Sequence, residues 1–166
     1  MRVAVGCVLL MFSSAVYLAA QARASSAESE VAPDTLITLQ RFACEDHCAV
    51  YRLVIFADGS VIYDGKYFVR RTGLVMSSIG PKILAKLVRD LDTGRFFELE
   101  NDYGFQNKRH CDSTEAGGPL AILSVSNAGR SRTVIHQHTC TGPDSERVTG
   151  LEDLVDHAVN AAKWIK

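Results

Sequence analysis

Charge is almost balanced in this chain, with 18 lysines and arginines against 19 aspartates and glutamates. A nucleic-acid partner needs a basic face, and this balance argues against one. Beyond Ala24 no stretch is apolar enough to span a bilayer. No internal repeat and no low-complexity tract is present. No glycine-rich elbow or recognisable oxyanion donor accompanies a serine or cysteine, which leaves a nucleophilic enzyme without its machinery. No two cysteines stand as Cys-x-x-Cys, the spacing in which a helix N-terminus lowers a thiol pKa for redox work.

What is present begins with MRVAVGCVLLMFSSAVYLAAQARA. Arg2 precedes an apolar run from Val3 to Ala20, and Ala22 and Ala24 form an A-x-A site. This is the layout of a signal peptide over residues 1–24, cleaved after Ala24, and it places the mature protein in a periplasm or outside the cell. A membrane anchor fits less well, because Ser13 and Ser14 interrupt the run and no basic stop follows it. Lipid attachment at Cys7 fits least, because too few residues precede it. Ser25 to Asp34, SSAESEVAPD, read as a flexible lead-in ended by Pro33. Residues 35–166 then form a single domain.

Cys44, Cys48, Cys111 and Cys140 remain after cleavage. An even number in an exported chain points to disulfides, and four cysteines allow three connectivities. The favoured pairs are Cys44–Cys48, closed within a turn, and Cys111–Cys140, tying a loop to the end of a later strand. Cys44 and Cys48 are one residue too far apart for a redox couple, and strand-like sequence follows them.

Leu36 to Phe42 alternates as a strand with one dry face. VYRLVIFADGSVIYDG holds two such runs around Asp58-Gly59, a hairpin signal because the turn demands φ > 0. Lys66 to Ile79 reads as a further strand kinked at Gly73. A helix follows from Pro81, with Ile83, Leu84, Leu87, Val88 and Leu91 on one face and Gly94 ending it. Phe96, Phe97 and Leu99 return to the core. Asn101 to Pro119 is a long polar loop. A second hairpin turns around Asn127 to Gly129. A last helix runs from about Glu146, with Val148, Leu151, Val155, Ala158 and Ala162 inward and Trp164 near its end. The order β-β-β-β-α-β-β-α predicts an α+β domain: an antiparallel sheet of two hairpins with two helices packed on one face.

The run from Arg41 to Gly65, then FVRRTG and SSIGPKILAKLVRDLDTGRFFEL, resembles a bacterial exported family known as a domain of unknown function, of the DUF6438 type. Cys44, Cys48, Tyr51, Asp58, Gly59, Val61, Tyr63, Gly65, Phe68 and Gly73 carry the resemblance. Phe97, Tyr103, Asp112, Gly129, Val134, Cys140, Leu151 to Asp156 and Trp164 extend it. Glu45, Asp46, His47 and Ala49 stand where that family has Phe-Gly-Thr and then Pro. The resemblance implies the fold and the compartment and brings no activity.

Four constellations could carry chemistry. His136, His138 and Cys140 alternate on a strand and so share a face. With His47 or His110 they could hold zinc or copper, which favour imidazole and thiolate. The plainer reading is a polar sheet face and a staple. His110, Cys111 and Asp112 suggest a thiol nucleophile, but adjacent residues rarely face one another, and an oxidised Cys111 is inert. Glu98, Glu100 and Asp102, with Glu152, Asp153 and Asp156, suggest paired carboxylates, for which a solvated edge is the plainer explanation. Lys66, Tyr67, Arg70 and Arg71, beside Phe68, form a basic-aromatic patch suited to a protein or an anionic glycan; protection of an edge strand is the alternative. The reading is therefore a small non-catalytic, disulfide-stabilised binding module with no cofactor, whose partner is a protein or envelope component. Metal binding through His136 and His138 is the alternative, and a thiol enzyme comes third.

Overall fold

The computed structural model describes residues 31–166, so the expected signal segment, Cys7 and most of the expected lead-in lie outside the described residues. In chain order the elements are β1 (Leu36–Arg41), β2 (Val50–Phe56), β3 (Ser60–Tyr67), β4 (Gly73–Ser78), α1 (Pro81–Thr93), a 3₁₀ turn (Phe96–Glu98), β5 (Asp102–Tyr103), β6 (Leu120–Asn127), β7 (Arg130–Gln137), α2 (Pro143–Val159) and α3 (Ala162–Ile165). The seven strands lie in the order β4-β3-β2-β1-β6-β7-β5. Every pairing is antiparallel except β5 against β7. No helix among the described residues is long and apolar enough to cross a membrane.

Alternation builds the core. Register aligns Tyr63, Leu53, Leu39, Leu123 and Val134 across five strands, and all are buried. Leu84, Leu87 and Leu91 of α1 and Val148, Leu151, Val155 and Val159 of α2 cover that face. Thr38, Val54, Ile62 and Met76 align on the opposite face, which no described helix covers. The Asp58-Gly59 turn has the expected geometry: Gly59 has φ 82°, and a Cβ there would meet the Ile79 carbonyl oxygen at 2.5 Å.

Several boundaries differ from the sequence reading. The strand expected over Lys66 to Ile79 is two strands. Lys66 and Tyr67 finish β3, and Phe68 to Arg71 turn back against the C-terminus, with Arg71 N donating to the Trp164 carbonyl at 2.9 Å. The polar loop after α1 contains β5, which adds a parallel edge because Asp102 and Tyr103 run alongside β7. Ile83, in the first turn of α1, is 48 % exposed and does not join Leu84, Leu87 and Leu91 in the core. Gly94 keeps φ −72°, and Arg95 takes the left-handed position at φ 59°. A Cβ on Gly94 would meet Leu151 Cδ2 at 2.5 Å, so this glycine serves the approach of α1 to α2. The last helix starts at Pro143, where a proline suits the first turn. It breaks at the left-handed Asn160, which leaves Ala162 exposed on the separate α3. Packing also takes in the end of the expected lead-in. Val31 is buried in the core, and the Asp34 carboxylate accepts from Ala128 N and Gly129 N at 3.0 and 2.7 Å.

Candidate functional site

One cross-strand row ends in polar groups. Register places Gly65, Tyr51, Arg41, Ala121 and His136 side by side on the helix-covered face. Above this row α2 presents Glu152 and Asp156, one turn apart on the same helix face, with Ser145 two turns earlier. Hydrophobic burial by Val148, Leu151 and Val155 draws the helix onto the sheet and carries these polar side chains in with it.

Glu152 is fully buried and organises the cluster. Its Oε1 accepts from His136 Nδ1 at 2.9 Å. Its Oε2 accepts from His138 Nε2 at 2.8 Å and from Arg41 Nη1 at 3.1 Å. Burial alone would raise this carboxyl. Hydrogen bonds from His136 and His138, joined by the charge of those rings where they are protonated, outweigh burial and bring it down to about 2. The far side of His136 fixes its protons. The Ser145 hydroxyl donates to the Cys140 carbonyl at 2.6 Å, so at 2.8 Å it accepts from His136 Nε2.

Arg41 joins this unit to a second one. Asp156 Oδ2 accepts from Arg41 Nη2 at 2.8 Å and Nε at 3.1 Å, and Asp156 Oδ1 accepts from the Tyr51 hydroxyl at 2.7 Å. Burial would lower the guanidinium, but the charges of Asp156 and Glu152 and the hydrogen bond to Asp156 hold it well above its usual value. Burial and the Asp156 charge push the Tyr51 phenol far up, so it stays neutral. Asp153 reaches the same guanidinium at 3.4 Å from a more exposed position.

A cleft of about 230 Å³ opens beside the cluster. Phe42, Ala49, Leu120 and Ile165 make its apolar wall, and Arg41, Tyr51 and His138 make its polar one. Arg41 and Tyr51 spend their donors on Glu152, Asp153 and Asp156. His138 differs: Glu152 holds its Nε2–H, and its Nδ1 has no partner among the described residues. The ring stacks on His136 at 4.5 Å, which further fixes its orientation. His138, which lines the cleft, thus carries one unspent hydrogen-bond acceptor, oriented by a buried carboxylate. A wider groove of about 520 Å³ beside Asn101, Arg132 and Ile135 holds none of the candidate residues.

His136 and His138 do come together, and with Glu152 their ligand atoms lie within 4.8 Å of one another. Cys140 is not available to them, being bonded to Cys111. His47 is elsewhere, edge-on to Phe68 at 4.8 Å, on the turn closed by Cys44–Cys48. His110 tilts onto Tyr103 at 5.9 Å. The nucleophile arrangement is overturned, because Cys111 is oxidised and Asp112 is exposed. The six acidic residues split. Glu98 pairs with Arg95, Asp102 caps the backbone of Phe105 to Asn107, and Glu100 is exposed. Glu152, Asp153 and Asp156 converge on Arg41. Lys66 pairs with Asp64 at 2.8 Å, Arg70 donates to the Lys163 carbonyl at 3.0 Å, and Tyr67 and Arg71 are exposed. Sequence reasoning missed Arg41, Tyr51 and Ser145, and missed Glu152 as the partner of both histidines. One signal was available: Glu152 occupies an inward position in the Val148, Glu152, Val155, Val159 series, where a carboxylate needs buried cations.

A family model described as a domain of unknown function (DUF6438) matches residues 35–159. No curated protein matches the chain.

Proposed function

We propose, for a chain that belongs to the domain-of-unknown-function family DUF6438, the role of an exported, non-catalytic binding module that takes a partner's apolar group with one N–H or O–H donor into the cleft at His138. The observation that carries this is the oriented His138 ring, whose Nδ1 is without a partner among the described residues and which lines the cleft opposite its apolar wall. Binding rather than turnover is supported by the state of the possible nucleophiles: Cys48 is oxidised, and the Tyr51 hydroxyl is held by Asp156. Anions are disfavoured by Glu152, Asp153 and Asp156 just behind the wall. Export is supported by the pattern of residues 1–24 and by two disulfides, which persist in oxidising compartments. A volume of about 230 Å³ suits a single ring. The test compares 4-methylphenol with toluene by NMR titration. The phenol is expected to shift His138, Leu120 and Ile165 saturably and to bind more tightly than toluene. His138→Phe is expected to reduce it to the level of toluene, and Leu120→Trp to abolish both. Equal binding of the two probes, or binding unaffected by Leu120→Trp, refutes the reading.

A second reading rests on the three ligand atoms within 4.8 Å. Two imidazoles and a carboxylate fit zinc or copper. Against it, Arg41 Nη1 stands 3.1 Å from Glu152 Oε2 and 3.4 Å from His138 Nε2, supplying the positive charge that a metal would bring. Zinc titration of the wild type and of the double variant His136→Ala with His138→Ala separates the two readings. Stoichiometric uptake by the wild type, lost in the variant, would establish the metal site.

A further inference from the structure

The two edges of the sheet are built differently. The β5 edge has two residues and leads into a loop fastened by Cys111–Cys140. The β4 edge is six residues long, GLVMSS, with no charge and no proline. Exposed edges are ordinarily blunted by exactly those residues, because an unpaired ladder recruits other strands. No described strand pairs with the outer side of β4.

Register identifies which atoms are free. Ile79 N donates to the Gly59 carbonyl at 2.9 Å, which continues the β3–β4 register by one residue and marks that pair as hydrogen-bonded. Hydrogen-bonded pairs alternate along an antiparallel ladder. Ser77, Val75 and Gly73 therefore bond inward to β3, while Leu74, Met76 and Ser78 turn their N–H and C=O groups outward. Leu74 and Met76 also carry the most exposed large apolar side chains described, at 73 % and 72 %, both on the uncovered face of the sheet. The same two residues thus offer ladder hydrogen bonds and two anchors at strand spacing.

Charge selects the occupant. Arg70 and Arg71 are exposed and lie just before β4. Lys66 is neutralised by Asp64, but Arg71 has no acidic side-chain partner among the described residues. The other end of β4 is balanced, with Asp58 at the adjoining turn and Lys82 beyond Gly80. A second copy docked antiparallel would present Ser77 to Lys82 to the arginines, a segment with no carboxylate. We infer that β4 is the docking edge for an extended segment of a partner protein, added antiparallel, with apolar side chains at alternate positions and carboxylates at its C-terminal end. Main-chain bonds would give the affinity, and the Leu74, Met76 and arginine contacts the choice of partner. This surface shares no residue with the His138 cleft, so either proposal can fail without the other.

The test uses the disulfide-intact mature chain and three labelled eight-residue peptides that alternate threonine and valine. One ends in two glutamates, one begins with them, and one ends in two lysines. The first is expected to bind saturably, shifting the amides of Leu74, Met76 and Ser78, and to bind at least tenfold more tightly than the other two. Met76→Pro removes an outward N–H without costing a bond to β3, and is expected to weaken the first peptide at least tenfold. Leu74→Lys keeps the backbone intact and is expected to weaken it as well, which covers the case of a misfolded proline variant. Equal affinity for all three peptides, indifference to both substitutions, or a β4-mediated dimer in sedimentation of the unliganded chain would overturn the inference.

Discussion

Replacing Glu152 by glutamine keeps the side chain's shape and removes its charge from a fully buried position. The groups facing it are His136 from β7, His138 just past the end of β7 and Arg41 from β1, with Tyr51, Asp153 and Asp156 one contact further out. The carboxyl stands at about 2 in the folded protein against an ordinary 4.5. A depression of that size corresponds to about 3 kcal/mol of stability, by the linkage between protonation and folding. The folded-state value lies below the unfolded one, so the unfolded chain takes up the proton first. The contribution is fully present above about pH 4.5 and is lost as the pH falls towards about 2. Asp156, which burial pushes up, acts in the opposite direction, but it is present in both proteins, and the difference between them isolates Glu152. Unfolding free energies from urea titration of wild type and Glu152→Gln should therefore differ by about 3 kcal/mol at neutral pH, or about 10 °C in Tm for a domain of this size. The gap should close between about pH 4.5 and 2. A gap below about 1 kcal/mol at neutral pH, or one that does not change with pH, would refute this account of the cluster.

Arg41→Met should cost about 3–5 kcal/mol in chemical denaturation, because it strands Glu152 and Asp156 without their shared cation. Tyr51→Phe should cost about 1 kcal/mol, the loss of one hydrogen bond to Asp156. Removing Cys111–Cys140, which spans 29 residues, should destabilise by about 3.5 kcal/mol, against about 2 for the four-residue Cys44–Cys48 loop; calorimetry of the two double-serine variants checks the order. Gly65→Ala should cost a few kcal/mol, about 1–3 as an overpacking effect, because its Cβ would fall 2.2 Å from the Arg71 carbonyl oxygen and 2.6 Å from the Tyr63 hydroxyl. Loss of the Tyr63 to Arg71 hydrogen bond, seen by NMR, should accompany it.

Much of the fold was legible because its signals are local. Alternation along Leu36 to Arg41 and Val50 to Phe56, the Asp58-Gly59 turn and the Leu84, Leu87, Leu91 spacing each settle one element without reference to the rest. Where the reading slipped, a distant contact decides. Arg71 meets Trp164 and ends β3 early, β7 recruits Asp102 and Tyr103 as a parallel edge, and Gly94 is kept for the close approach of Leu151 while Arg95 takes the left-handed turn. The site was half legible. His136 and His138 announce themselves by alternate spacing on one strand. Arg41 does not, because in sequence it is one more residue of an alternating strand. It becomes the centre of the cluster only when register sets it beside Tyr51 and α2 lowers Glu152 and Asp156 onto it, 111 and 115 residues away. Composition also hides the open edge, since nothing in GLVMSS tells an edge strand from a central one.

The central claim is that Glu152 fixes the His138 ring so that Nδ1 is left as an open acceptor at the cleft. Long-range ¹H–¹⁵N correlation of the His138 ring, with and without 4-methylphenol, measures this most directly. The account expects the neutral ring to carry its proton on Nε2, with a bare Nδ1 whose resonance moves when the phenol is added. A proton on Nδ1, or a ring that exchanges freely between tautomers and ignores the phenol, would contradict it.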